Sequence, residues 1–131
     1  MLSERRTMIR AMILEPGKLA EVKFIDKSCK DLRALVGGEI EFTWPVDNNT
    51  CVIINEEGKI AGLPLNRALR DKDGKILDIY AGTMVVVGMH GDDFDDLTDE
   101  EVTAYLATFG EPESVWDWIN DVSKGDNKCF Q

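Results

Sequence analysis

Over its first ninety positions the chain sets out its apolar residues in short runs of strand length, separated by clusters of glycine, proline and acid or amide side chains. Met8 to Leu14 and Ala20 to Ile25 are two such runs. They meet across Glu15-Pro16-Gly17-Lys18, where proline presets φ and glycine tolerates the left-handed backbone of a tight reversal, so an opening hairpin is expected. Between Ser28 and Val36 the period lengthens. Leu32, Leu35 and Val36 recur at helical spacing and Gly37-Gly38 stands where a left-handed C-cap falls, which predicts one short amphipathic helix. Glu39 to Trp44 alternates, Pro45 to Thr50 is rich in turn formers, and Cys51 to Ile54 has the composition of a buried strand. These two strands read as antiparallel neighbours.

Asn55-Glu56-Glu57-Gly58-Lys59 predicts a second reversal, followed by a returning strand from Ile60 to Leu65 that Pro64 confines to an edge. Asn66 to Arg70 reads as a turn of helix or a loop. After the turn at Asp71 to Gly74, Ile76 to Tyr80 leads across Ala81-Gly82 into Thr83 to Met89, whose Val85, Val86 and Val87 mark a central strand buried on both faces. Thr98 and Glu101 form a capping box, so a helix is expected to about Phe109 with Val102, Tyr105, Leu106 and Phe109 inward. Glu111 to Val122 predicts another, with an apolar set of Val115, Trp116, Trp118, Ile119 and Val122. The expected architecture is a single α+β domain: an antiparallel or mixed sheet, one early helix and two C-terminal helices. Residues 1–7 form a leader, 8–90 a sheet-rich part, 91–124 an acidic helical part and 125–131 a tail.

Length agrees with this. A chain of 131 residues, 44% hydrophobic, builds one core and not two. The net charge of −10 is unevenly placed: residues 1–90 balance thirteen basic against thirteen acidic side chains, whereas residues 91–131 hold two basic and twelve acidic. That end repels nucleic acid and anionic lipid; it suits a basic protein face, or serves only solubility. Cys29, Cys51 and Cys129 are odd in number and lack a CxxC pair or a histidine cluster, so neither disulfides nor a structural zinc is indicated. Met8 to Leu14 is interrupted by Arg10 and is too short to span a bilayer. A soluble, cytoplasmic protein is expected.

Few residues carry recognisable chemistry. The single histidine, His90, precedes Gly91-Asp92-Asp93, a setting open to a general base beside a carboxylate and equally to a solvated strand end. Asp92, Asp93, Asp95 and Asp96 lack the glycine and distant glutamate of a calcium loop, and they suit the positive end of the helix starting at Thr98. No hydrolase signature or glycine-rich phosphate loop occurs, so neither a catalytic residue nor a cofactor or metal is assigned. Arg67 and Arg70 stand three apart, and on a helical turn they would clamp a phosphate while Asn66 reads a base or ribose, with Asn55 nearby and Trp44 or Tyr80 as stacking partner. Equally open is internal pairing of Arg67 with Asp78 or Glu57, Asn66 capping the turn. Trp116 and Trp118, two apart on a helix, cannot share a face; one is expected inside, the other exposed among acids as an anchor for a protein partner.

Asn55-Glu-Glu-Gly-Lys-Ile60, Gly62-Leu-Pro-Leu-Asn-Arg67, Asp78-Ile-Tyr-Ala-Gly-Thr83 and Val85-Val-Val-Gly88, with Leu14 to Lys18 and Leu35 to Gly38, together resemble a family of small proteins of unassigned activity from bacteriophages and conjugative elements. The resemblance covers roughly residues 8–110 and picks out Asn55, Gly62, Pro64, Asn66, Arg67 and Gly82. It implies an accessory protein that acts on its host, countering immunity by binding. The expected mode is sequestration of a small anionic nucleotide signal at Asn66, Arg67, Arg70, Asn55, Trp44 and Tyr80, by a homo-oligomer. The alternatives are a DNA-mimicking inhibitor of a defence protein, acting through Asp92, Asp93, Asp95, Asp96, Trp116 and Trp118, and an enzyme that degrades the nucleotide.

Overall fold

The computed structural model describes residues 7–121. The leader, apart from Thr7, and the tail lie outside them. The elements run β1 (Met8–Leu14), β2 (Glu21–Asp26), α1 (Cys29–Val36), β3 (Ile40–Thr43), β4 (Thr50–Asn55), β5 (Leu65–Arg70), β6 (Ile76–Ala81), β7 (Met84–Gly88) and α2 (Asp99–Phe109). A last helix, α3, occupies residues 115–121 of the described chain. Five strands form an antiparallel sheet in the order β2-β1-β7-β4-β3, and β5 and β6 make a separate two-stranded ribbon.

Strand alternation divides the core into two layers. Ile9, Ala11 and Ile13 face one side with Ile53, Val85 and Val87, under Leu32 and Val36 of α1. Met12 and Leu14 face the other with Val52, Met84 and Val86, under Tyr105 and Phe109 of α2 and Tyr80 of β6. Both faces of β7 are therefore covered, and its five residues are all buried. Each buried aliphatic side chain contributes about 1.5–3 kcal/mol from area removed from water. Leu106, expected inward, is instead exposed, because Tyr105 and Phe109 fill the helix face toward the sheet.

Local chemistry sets the element ends. Ser28 caps α1 by accepting from the Asp31 N–H, and Gly37 ends it at φ 82°. Thr98 and Glu101 close the expected capping box. The opening hairpin turns on Gly17 at φ 76°. Three stretches differ from expectation. Residues 56–62 form consecutive turns and not a strand, since Gly62 takes φ 75° and Pro64 has no N–H for a ladder. Asn66 to Arg70 is not a helical turn or loop but strand, β5, which pairs with β6. The last helix starts at residue 115 and not at Glu111, because Pro112 precedes a Ser114 that exchanges hydrogen bonds with Asp117.

Candidate functional site

Asn66 and Arg67 sit on β5 where the ribbon meets the opening hairpin and the end of α2. Both are fully buried. The Asn66 amide nitrogen donates to the carbonyls of Leu14 at 2.7 Å and Gly82 at 2.8 Å, and its oxygen accepts from Arg67 at 2.7 Å. The remaining guanidinium N–H groups go to the carbonyls of Phe109 at 2.6 Å, Lys18 at 2.7 Å, Glu15 at 3.2 Å and Gly110 at 3.4 Å. All five donors are thus matched by acceptors within the chain. Burial lowers the Arg67 pKa from its ordinary value, and the charges of Glu113 and Glu111 work the other way. Neither Asp78 nor Glu57 is the partner; Asp78 binds Lys59 instead. Backbone carbonyls hold this cation because β5 buries it against the opening turn and the end of α2, where the Phe109, Lys18, Glu15 and Gly110 carbonyls converge. Gly82 and Pro64 belong to the same clasp: the Gly82 N–H donates to the Pro64 carbonyl at 2.7 Å.

Arg70 points elsewhere. Across the irregular register of β5 its guanidinium takes partners wholly different from those of Arg67, so the two do not form a clamp. It donates to Glu113 and Asp121, each at 2.9 Å, and these bonds outweigh burial and raise its pKa. Around it lies an open hollow of about 380 Å³, lined also by Thr108, Glu111, Pro112, Asp117 and Asn120. Four carboxylates against one guanidinium make this hollow anionic. Glu113, which the sequence offered no reason to single out, accepts from Arg70, from the Trp118 indole at 2.8 Å and from the Ala68 N–H at 3.3 Å.

Asn55 and Tyr80 line a second depression of about 360 Å³, with Glu41, Thr43, Glu56, Glu57, Lys59 and Asp78 at its edge. Asn55 is occupied with structure: it donates to the Val36 carbonyl at 3.2 Å and accepts from the Glu57 N–H at 2.8 Å. Burial pushes the Tyr80 hydroxyl pKa up. Trp44 lies half exposed just past β3 and lines neither depression. The six residues expected to hold one ligand are thereby distributed over four places.

The aspartate loop is bound to its own fold. Asp93 pairs with Lys27 at 2.7 Å, Asp96 accepts the Arg10 N–H at 2.7 Å, and Asp95 bridges back to Gly88 through its backbone. Hydrogen bonding by Lys27 holds the Asp93 carboxyl below its ordinary value. Asp92 is exposed. His90 lies between Glu101 at 2.9 Å and Asp95 at 3.4 Å; the bond to Glu101 raises its pKa and ties the loop to α2. Among the described residues no group of three or more His, Cys, Asp or Glu side chains is arranged to hold a metal.

On α3 the two tryptophans part as expected. Trp118 is 6% exposed, whereas Trp116 is 73% exposed, beside the exposed side chains of Val115 and Ile119. An apolar strip thus adjoins the acidic side of the same helix, which carries Asp117 and Asp121.

Among the described residues no helix is long and apolar enough to cross a membrane. No curated protein and no solved structure matches the chain. A family model does, across residues 9–110, from the first core residue of β1 through the Gly110 that caps α2 and accepts from Arg67. α3 and its tryptophans lie beyond the matched residues, and the chain belongs to the DUF3846 family, a domain of unknown function.

Proposed function

We propose that this protein acts by binding and not by catalysis, as a cytoplasmic accessory protein of a phage or conjugative element that counters a host defence, and that its acidic C-terminal layer docks on a basic surface of a defence protein. The observation that carries this reading is the exposure of Trp116 on a helix whose neighbouring side is acidic. A large aromatic left in water beside carboxylates has the makeup of an interface anchor with a charged rim. The acid excess of residues 91–131 would steer a basic partner toward it. On this reading the partner-binding surface comprises Trp116, Glu111, Asp117 and Asp121, with Asp92 an outlying member. The resemblance to proteins of mobile elements supplies the biological setting.

Sequestration of a small anionic nucleotide is less favoured, because it asks for an open cation. Arg67 has its five donors engaged by the chain, and Arg70 stands among carboxylates.

The test is immobilisation of the full-length protein and exposure to host lysate at low and high ionic strength. A single retained protein is expected, released by salt and lost with Trp116→Ala or with Glu111→Gln combined with Asp117→Asn. Retention indifferent to salt and to both variants would remove the basis of the reading. A rise in melting temperature with a cyclic or linear nucleotide would restore the nucleotide alternative.

A further inference from the structure

β2 closes one side of the five-stranded sheet, and among the described residues no strand pairs with its outer edge. The ladder with β1 reveals which backbone groups lie on that edge. Lys27 donates its N–H to the Thr7 carbonyl at 2.8 Å, in the register that sets Ile25 against Ile9 and Lys23 against Ala11. Antiparallel alternation then turns the N–H and C=O of Glu21, Lys23, Ile25 and Lys27 toward β1, and those of Val22, Phe24 and Asp26 outward. The side chains on these outward positions are apolar at the centre: Phe24 is 64% exposed and Val22 39%. The strand holds no proline or glycine, and its register with β1 is unbroken. Apart from its charged side chains, it lacks the devices by which edge strands avoid pairing.

We propose that β2 is a dimerisation edge, on which a second copy of this chain lays its own β2 antiparallel about a two-fold axis. The outward groups are centred on Phe24, and an axis there engages all of them. Phe24 then faces its counterpart, Val22 faces Asp26, and the Phe24 and Val22 pairs of both copies meet on one face of the joined sheet. On the other face Glu21 stands opposite Lys27 of the second copy, a favourable charge apposition repeated by symmetry beside the Lys27–Asp93 pair, and Lys23 stands opposite Ile25. A register shifted toward the start of the strand is obstructed, since the Ala20 N–H is already given to the Gly110 carbonyl at 2.8 Å. Charge does not oppose the contact. Lys18, Lys23 and Lys27 stand against Glu21 and Asp26 along this edge, while the acid excess of the chain lies in residues 91–131. So short a ladder belongs to the small end of specific interfaces, and the dimer is weak and concentration-dependent.

The experiment is sedimentation velocity on the full-length protein over roughly two decades of concentration, up to a few hundred micromolar. The wild type is expected to pass from monomer to dimer. Val22→Pro deletes an outward N–H without touching the β1 ladder, and Phe24→Lys brings two charges together at the axis; both are expected to remain monomeric with wild-type circular dichroism. Phe24→Cys in a background with Cys29→Ser and Cys129→Ser should oxidise to a covalent dimer, since facing residues of such a pair lie about 5.5 Å apart at Cα. Lys23→Cys in that background should not. A wild type monomeric at every concentration overturns the proposal. So does a dimer that survives both Val22→Pro and Phe24→Lys, or one cross-linked through Lys23→Cys and not through Phe24→Cys.

Discussion

The Arg67 Nε donates to the Phe109 carbonyl at 2.6 Å, joining the two-stranded ribbon to the end of α2 across 42 residues of chain. With the bonds to Glu15 and Lys18, one guanidinium ties three separate segments into a single unit. Arg67→Met keeps the apolar stem but takes the guanidinium donor from the Phe109 and Lys18 carbonyls and from the Asn66 amide oxygen, each a desolvated acceptor worth about 1–3 kcal/mol, while the Glu15 carbonyl keeps the Lys18 N–H. A total loss of about 3–5 kcal/mol of unfolding free energy is expected, with Arg67→Lys recovering a minority of it because an ammonium lacks the planar fork. Urea denaturation followed by circular dichroism checks this. A cost under about 1 kcal/mol would mean that the clasp is dispensable.

That clasp marks where the sequence stopped being readable. The hairpin, the two capped helices and the central β7 follow from local signals: a proline-glycine turn, Ser28 and Thr98 as caps, three consecutive valines. The destination of Arg67 does not, because its acceptors are backbone carbonyls contributed by residues 15, 18, 109 and 110, and a carbonyl has no residue identity to recognise. The sequence did single out Asn66 and Arg67 and left internal pairing open for them, while the three bonds converging on Glu113 were invisible to it. The two tryptophans were separable from helical geometry alone, since two residues are about 200° apart around a helix; which of them went inside was set by Glu113 meeting the Trp118 indole.

Cys51 lies buried in β4, and burial pushes its thiol pKa up to about 11, while Cys29 at the start of α1 is exposed. The thiolate is the reactive species, so the native protein should alkylate at Cys29 and spare Cys51. Peptide mapping after brief iodoacetamide treatment at pH near 8 distinguishes them, with Cys51 modified only once denaturant has opened the sheet. Equal modification of both in the native protein would contradict the packing of β4 between β3 and β7.

His90 is the one histidine of the chain, so its titration can be followed without ambiguity. Glu101 and Asp95 favour the imidazolium in the folded state, which places the folded pKa above the ordinary value of about 6.5. The linked stability is therefore fully present below about pH 6.5 and is lost as pH rises through the folded-state value. His90→Gln should flatten that part of the stability profile, leaving the protein's urea midpoint less dependent on pH above 6.5 than the wild type's. The measurements are denaturation at stepped pH and the imidazole proton shifts by NMR. A ring titrating at or below 6.5 would show that the two carboxylates do not hold it.

Trp116 and Trp118 offer the sharpest separation of stability from binding. Trp118 is enclosed, and its indole N–H donates to Glu113, the same carboxylate that holds Arg70; Trp118→Ala removes a large buried ring and one of the three donors to that carboxylate. A loss of about 3–5 kcal/mol is expected. Trp116 projects into water, so Trp116→Ala should change the unfolding free energy by no more than about 0.5 kcal/mol. Emission separates them as well: Trp116→Ala leaves a blue-shifted signal dominated by the buried indole, together with the half-exposed Trp44, and iodide should quench the wild type more than this variant. If Trp116→Ala destabilised the protein as strongly as Trp118→Ala, the indole would be serving the fold, and its exposure would no longer point to a partner.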